Sequence, residues 1–162
     1  MRRLIKQREV IADEWRYADE DPLGRERALI LPFARWKAER EQWWLWDGRL
    51  GVRIGPTDSV AELQNDFVRV GLVAIEFGGM AEGRGYSQAQ LLRTRYKFTG
   101  ELRAVGKIQR DQLFYLARCG FDTFELPEGA DLDVALTAFD DFSVAYQGAL
   151  DSAGVHVARR AV

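Results

Sequence analysis

At 162 residues the chain has the length of one domain, and a composition of 47% hydrophobic and 30% charged residues is too apolar for a disordered one. A net charge of -2 supplies no broad positive field, which argues against nucleic acid as a partner. No stretch approaches the ~20 apolar residues that span a bilayer, and the run LIKQREVIADEWR after the first arginines breaks its apolar pairs with charge, as no signal-peptide core does.

We therefore expect a cytoplasmic protein with no membrane partner. Cys119 is the only cysteine, which excludes an internal disulfide, a CxxC redox pair and an iron–sulfur cluster held by cysteines of this chain alone.

Residues Leu4 to Arg16 alternate loosely between apolar and polar, which predicts a short strand or hairpin with Val10, Ile11 and Trp15 inward. Ala18 to Glu26 is acidic and holds Pro22 and Gly24, so it reads as a solvated loop. Residues 1–27 are then an N-terminal extension and acidic loop on a single α/β domain filling 1–162, with 148–162 a flexible tail.

Ala28-Leu29-Ile30-Leu31-Pro32 is a short apolar run ended by proline, as expected of a strand buried on both faces. The helix predicted after it, Phe33 to Trp46, carries Trp36, Trp43, Trp44 and Trp46. Large rings of this kind cover a sheet edge or mark a partner surface. Trp43, Trp44 and Trp46 cannot share one helical face, so at least one should meet solvent or a second molecule.

Leu50 to Ile54 predicts the second core strand. A helix follows with Thr57, Asp58 or Ser59 as cap, Ser59 and Glu62 as a capping box, and Val60, Leu63, Phe67 and Val70 along one face. Gly71 to Phe77 is the third strand. Glu76, near its carboxyl end, stands where α/β folds place functional groups, although a salt bridge to Arg84 or Arg103 would account for it equally.

The segment Gly78 to Gly85 leads into a helix predicted over Gln88 to Tyr96 with Ser87 as cap. Glycines admit close backbone approach and Arg84 offers a fork of donors, so Gly79, Gly83, Arg84, Gly85 and Ser87 form a candidate anion- or cofactor-binding loop. A tight structural turn is the competing reading. Gly83-x-Gly85 lacks the third glycine of a dinucleotide fingerprint and the lysine of a P-loop, so no motif names a cofactor.

Glu101 to Val105 is the fourth strand, and a helix over Gln112 to Arg118 is started by Asp111 and closed by Gly120, with Cys119 buried. Thr123 to Leu126 is the fifth strand. Glu125 shares the positional argument made for Glu76, and both are candidate catalytic groups on a rim with Arg53 and Arg84, where a structural ion-pair network is the alternative.

The last helix is capped by Asp131 or Asp133 and runs to Tyr146, with Val134, Leu136, Phe139, Phe142 and Tyr146 inward; the lone His156 lies in a tail expected to fray. No cluster of residues has metal-ligand spacing. The pattern is α/β, with about five successive βα units and a mainly parallel sheet, either partial TIM-barrel-like or open and flavodoxin-like.

The blocks GRGYSQAQLLR, GELRAVGKIQRDQLFYLARCGFDTFEL and FSVAYQ resemble the bacterial family called domain of unknown function 934, over about Leu29 to Gln147. Members are described as probable oxidoreductases involved in sulfite reduction, since they accompany the assimilatory sulfite reductase haemoprotein. The resemblance implies a place in sulfur assimilation and cysteine biosynthesis more firmly than it implies a reaction, and it carries over no catalytic residues.

Two classes of function follow. In one, the protein is an accessory of sulfite reduction that docks on the haemoprotein and assists electron delivery. In the other, it is a small enzyme or anion-binding protein working through Gly78 to Ser87. A homodimer stays open.

Overall fold

The computed structural model describes residues 1–19, 24–79 and 83–141. A hairpin begins the chain: β1 (Arg3–Lys6) pairs antiparallel with β2 (Glu9–Ala12). Gln7 and Arg8, at φ 50° and 66°, make the two-residue turn whose twist matches that of the strands. Leu4 and Ile5 are its deeply buried residues, while Val10, Ile11 and Trp15 are only partly covered.

Six strands then run parallel in chain order: β3 (Arg16–Tyr17), β4 (Ala28–Pro32), β5 (Arg49–Ile54), β6 (Val70–Phe77), β7 (Glu101–Gly106) and β8 (Thr123–Phe124). β1 adds antiparallel to β8, giving one eight-stranded sheet in the order β2-β1-β8-β7-β6-β5-β4-β3, curled into a half barrel. The chain is therefore α/β, but its sheet is mixed.

Five successive βα units do not describe it. The segment read as an extension supplies three strands, β3 and β8 have two residues each, and the connection from β5 to β6 is a 3-10 helix, Val60–Asp66. The parallel run also has no reversal of strand order, which a flavodoxin-like sheet requires.

The helical segments are shorter than the periodicity suggests. The aromatic helix is broken at Glu39 into α1 (Phe33–Ala38) and α2 (Arg40–Trp44). The Glu39 carboxylate bridges the break, accepting from Arg35 Nε at 3.1 Å and Trp43 Nε1 at 2.8 Å. No side-chain capping bond forms at Ser59; instead Asp58 accepts from the Gly55 N–H at 2.7 Å, so the competing turn replaces the expected box.

α3 (Arg84–Gln90) starts a turn before its expected position, with Gly83 as cap, and leads into a π-helical turn over Leu91–Arg95. Ser87 therefore lies inside the helix and caps nothing. A capping box does form at Gln109 and Gln112, ahead of α4 (Leu113–Arg118), which places Asp111 in the first turn and not at the cap. Gly120 at φ 112° follows α4, and Cys119 is buried.

Asp131 caps α5 (Leu132–Leu136), accepting from the N–H groups of Asp133 and Val134. Val134, expected inward, is exposed, because it points away from the face that buries Leu132 and Ala135. The expected continuation to Phe142 and Tyr146, and the tail with His156, lie outside the described residues.

Strand alternation divides the side chains into two sets. Leu29, Leu31, Val52, Ile54, Val73, Ile75, Leu102, Ala104 and Phe124 pack with the helices in the larger core. Each of the valine, leucine, isoleucine and phenylalanine side chains among them contributes roughly 1.5–3 kcal/mol by leaving water. Tyr17, Ile30, Leu72, Ala74 and Val105, with Trp15 against them, form a smaller cluster on the concave face.

Only Asp13, Glu14 and Trp15 join β2 to β3, the two opposite edges of the sheet. Four peptide steps reach at most about 14 Å. This strap therefore holds the edges close and covers the concave face.

Candidate functional site

Arg103 sits on β7 between Leu102 and Ala104, which face the helices, so its side chain enters the concave interior. It is buried, and a buried charge must be paired. Its Nη1 and Nη2 donate to Asp13 Oδ2 and Oδ1 at 2.9 and 3.0 Å, a two-pronged contact, and Nε and Nη2 reach Glu101 Oε1 at 3.1 and 2.9 Å. Glu125 Oε2 lies 3.5 Å from Nη1.

The network continues outward. Lys6 Nζ donates to Glu101 at 2.6 Å, Arg2 Nε donates to Asp13 at 3.0 Å, and Arg2 Nη1 is 3.3 Å from Glu125. The Tyr17 hydroxyl donates to Glu125 Oε2 at 2.7 Å. Burial alone would lower the pKa of Arg103, but the hydrogen bond and charge of Asp13, then the charges of Glu101 and Tyr17, raise it. Burial, with the charge and hydrogen bond of Glu125, pushes the Tyr17 phenol far up.

Above this network lies the mouth formed by the carboxyl ends of the parallel strands. The Tyr17 ring has the Arg2 guanidinium 4.7 Å and the Arg53 guanidinium 5.3 Å from its centroid. Arg53 Nη2 donates to Asp19 at 2.7 Å, and its Nε is 3.9 Å from Glu76. Glu76 thus pairs with Arg53, which the strand pleat places on the same face. Arg103 shares that face but is buried further in and taken by Asp13 and Glu101, and Arg84 lies exposed at the start of α3.

A cavity of about 570 Å³ opens beside Glu125, lined by Arg2, Arg3, Gly106, Leu132 and the turn from Leu126 to Ala130. Gly106, at φ 91°, forms its floor at the end of β7; an added Cβ would stand 2.5 Å from the Phe77 carbonyl oxygen. The two candidate carboxylates therefore differ in setting: Glu76 is exposed, whereas Glu125 is enclosed by Tyr17, Arg2 and Arg103.

The glycine-rich loop is separate from this cavity's lining. Gly79 and Gly83 have open space around them, and Arg84 and Ser87 are exposed. Gly85 is buried, and a Cβ there would meet the Phe77 ring at 2.5 Å, so its absence is what seats α3 on β6. Met80 to Glu82 lie outside the described residues.

Of the tryptophans, Trp36 and Trp43 are buried and Trp46 packs edge-on to Trp43 at 5.8 Å. Trp44 is 41% exposed and Leu45 85% exposed. Arg69 donates to the carbonyls of Trp44, Trp46 and Gly48, which brings the neighbouring Val68, 84% exposed, beside them. These residues precede β5 and β6, at the end of the sheet opposite the mouth.

A family model described as bacterial protein of unknown function (DUF934) matches residues 51–156. The chain belongs to this family. No curated protein and no solved structure matches it. The DUF934 match begins in β5, so it includes Arg53, Glu76, Arg103 and Glu125 but not Arg2, Asp13 or Tyr17. It also starts later than the resemblance in the sequence implies.

The interior of this DUF934 protein is thus completed by side chains from outside the matched region. Pattern reading missed Asp13 and Tyr17 because they lie in the segment read as an extension. A signal for Arg103 was present, since a charge between two apolar strand positions needs a buried partner.

No helix among the described residues is long and apolar enough to cross a membrane. Those residues also contain no group of three or more His, Cys, Asp or Glu side chains placed to hold a metal.

Proposed function

We propose that this DUF934 protein is an accessory component of assimilatory sulfite reduction that docks on the sulfite reductase haemoprotein and assists electron delivery to it. The three sequence blocks support the pathway. The observation that carries the docking is the exposed apolar group of Trp44, Leu45 and Val68, clasped by Arg69 at one end of the sheet. Monomeric surfaces expose single apolar residues routinely, but an exposed tryptophan beside an arginine, within a contiguous apolar group, has the residue types enriched at interface centres.

A stable interface buries about 800 Å² on each partner. These residues therefore form its centre, with the surrounding polar surface as rim. The competing reading, a small enzyme or anion-binding protein using Gly78 to Ser87, draws support from the exposed Arg84 and the open space at Gly79 and Gly83.

Co-purification with the haemoprotein decides between them. Trp44→Asp with Leu45→Asp should abolish a stoichiometric complex while Arg84→Ala leaves it intact. A complex unaffected by the double change, or no complex with the unmodified protein, refutes the docking assignment.

A further inference from the structure

We infer that the mouth cavity beside Glu125 binds a small zwitterion of the α-amino-acid class, held between the opposite charges of Arg3 and Glu128. This inference is independent of docking, since the cavity and the apolar group lie at opposite ends of the sheet.

The cavity has four charged lining residues: Arg2, Arg3, Glu125 and Glu128. Two of them neutralise each other, Arg2 being 3.3 Å from Glu125, and both are further engaged with Asp13, Tyr17 and Arg103. Arg3 and Glu128 are exposed and make no hydrogen bond or ion pair among the described residues. One cation and one anion thus stand on the same cavity without satisfying each other.

Their chain positions explain the arrangement. β1 runs antiparallel to β8 with Ile5 opposite Phe124, so Arg3 stands at the β1 end that meets the segment after β8. Glu128 occupies the turn closed by the Ala130 N–H donating to the Pro127 carbonyl at 3.1 Å, with Gly129 at φ 86° as a type II turn requires. Two different segments therefore present the opposite charges.

A simple anion would be attracted by Arg3 and repelled by Glu128. A simple cation would meet the reverse. A molecule carrying a carboxylate and an ammonium matches both, and Leu126, Pro127 and Leu132 provide apolar wall for its body. The volume of about 570 Å³ falls within the usual range of small-molecule sites.

The test is calorimetric titration of the full chain at low ionic strength with L-leucine, with its des-amino acid, with its decarboxylated amine and with inorganic sulfate. L-leucine should bind, and each single-charge analogue should bind at least about tenfold more weakly, as expected of two charge contacts used together. Arg3→Glu should abolish binding, and adding Glu128→Arg should restore it, because a zwitterion can reverse its orientation.

Both positions are exposed, so a thermal melt separates loss of binding from loss of fold. No binding of L-leucine at 10 mM, roughly the millimolar limit such a site should reach, overturns the inference. Equal binding of sulfate or of either single-charge analogue, or a swap that fails to restore binding in a folded protein, overturns it as well.

Discussion

Arg103 and Asp13, ninety positions apart, meet through two parallel hydrogen bonds of 2.9 and 3.0 Å inside the curled sheet. Asp13 belongs to the strap between the sheet edges, so the contact latches the strap to β7. Both side chains are almost fully buried, which makes a one-sided loss costly. Asp13→Asn or Arg103→Met should each destabilise the protein by about 3–5 kcal/mol in urea unfolding. Combining them should cost less than the sum of the two, since each change removes the same pair of hydrogen bonds.

Tyr17 gives the protein an alkaline limit. Burial and the neighbouring Glu125 raise its folded-state pKa well above the ordinary value of 10.0. For a group raised in the folded state, the stability it confers is fully present below the unfolded value and is lost as pH climbs toward the folded one. Stability should therefore fall from about pH 10 upward, and Tyr17→Phe should flatten that fall while lowering stability at pH 7 by roughly 1–2 kcal/mol for the lost hydrogen bond to a carboxylate. Urea unfolding across pH 8–11 checks the slope, and an unchanged slope in the variant would count against this origin.

The glycines of the loop ahead of α3 should separate by substitution. Gly83→Ala places its methyl group in open space and should change stability by less than about 0.5 kcal/mol. Gly85→Ala forces the methyl group into the Phe77 ring and the Ile75 side chain, which should cost about 1–3 kcal/mol through displaced packing. Thermal melts of the two variants are sufficient, and equal effects would contradict the seating of α3 on β6.

Five of the six parallel strands were readable because their apolar runs are dense and bounded: Ala28–Pro32 matches β4 without adjustment, whereas the two-residue β3 was not readable. Helix length was harder, since local side-chain bonds at Asp58 and Glu39 compete with a regular helix in ways that apolar spacing does not register. The shared rim of Arg53 and Glu76 followed from strand direction, whereas Arg84, expected on the same rim, lies exposed at the start of α3. The Arg103 latch did not, because its carboxylate comes from the opposite end of the chain, and no local pattern encodes a pairing across ninety residues.

The strap also bears on how the molecule is made. β1 pairs with the parallel strands through β8, and Asp13 is held by Arg103 on β7, so residues 3–13 wait for partners about ninety or more positions later before they can be placed. Until about residue 124 has emerged, the growing chain carries Leu4 and Ile5 with only their hairpin partner β2 beside them. Pairings of such long sequence separation close slowly. The nascent β1–β2 hairpin therefore depends on protection during synthesis, and its docking on β8 is the step that ends that exposure.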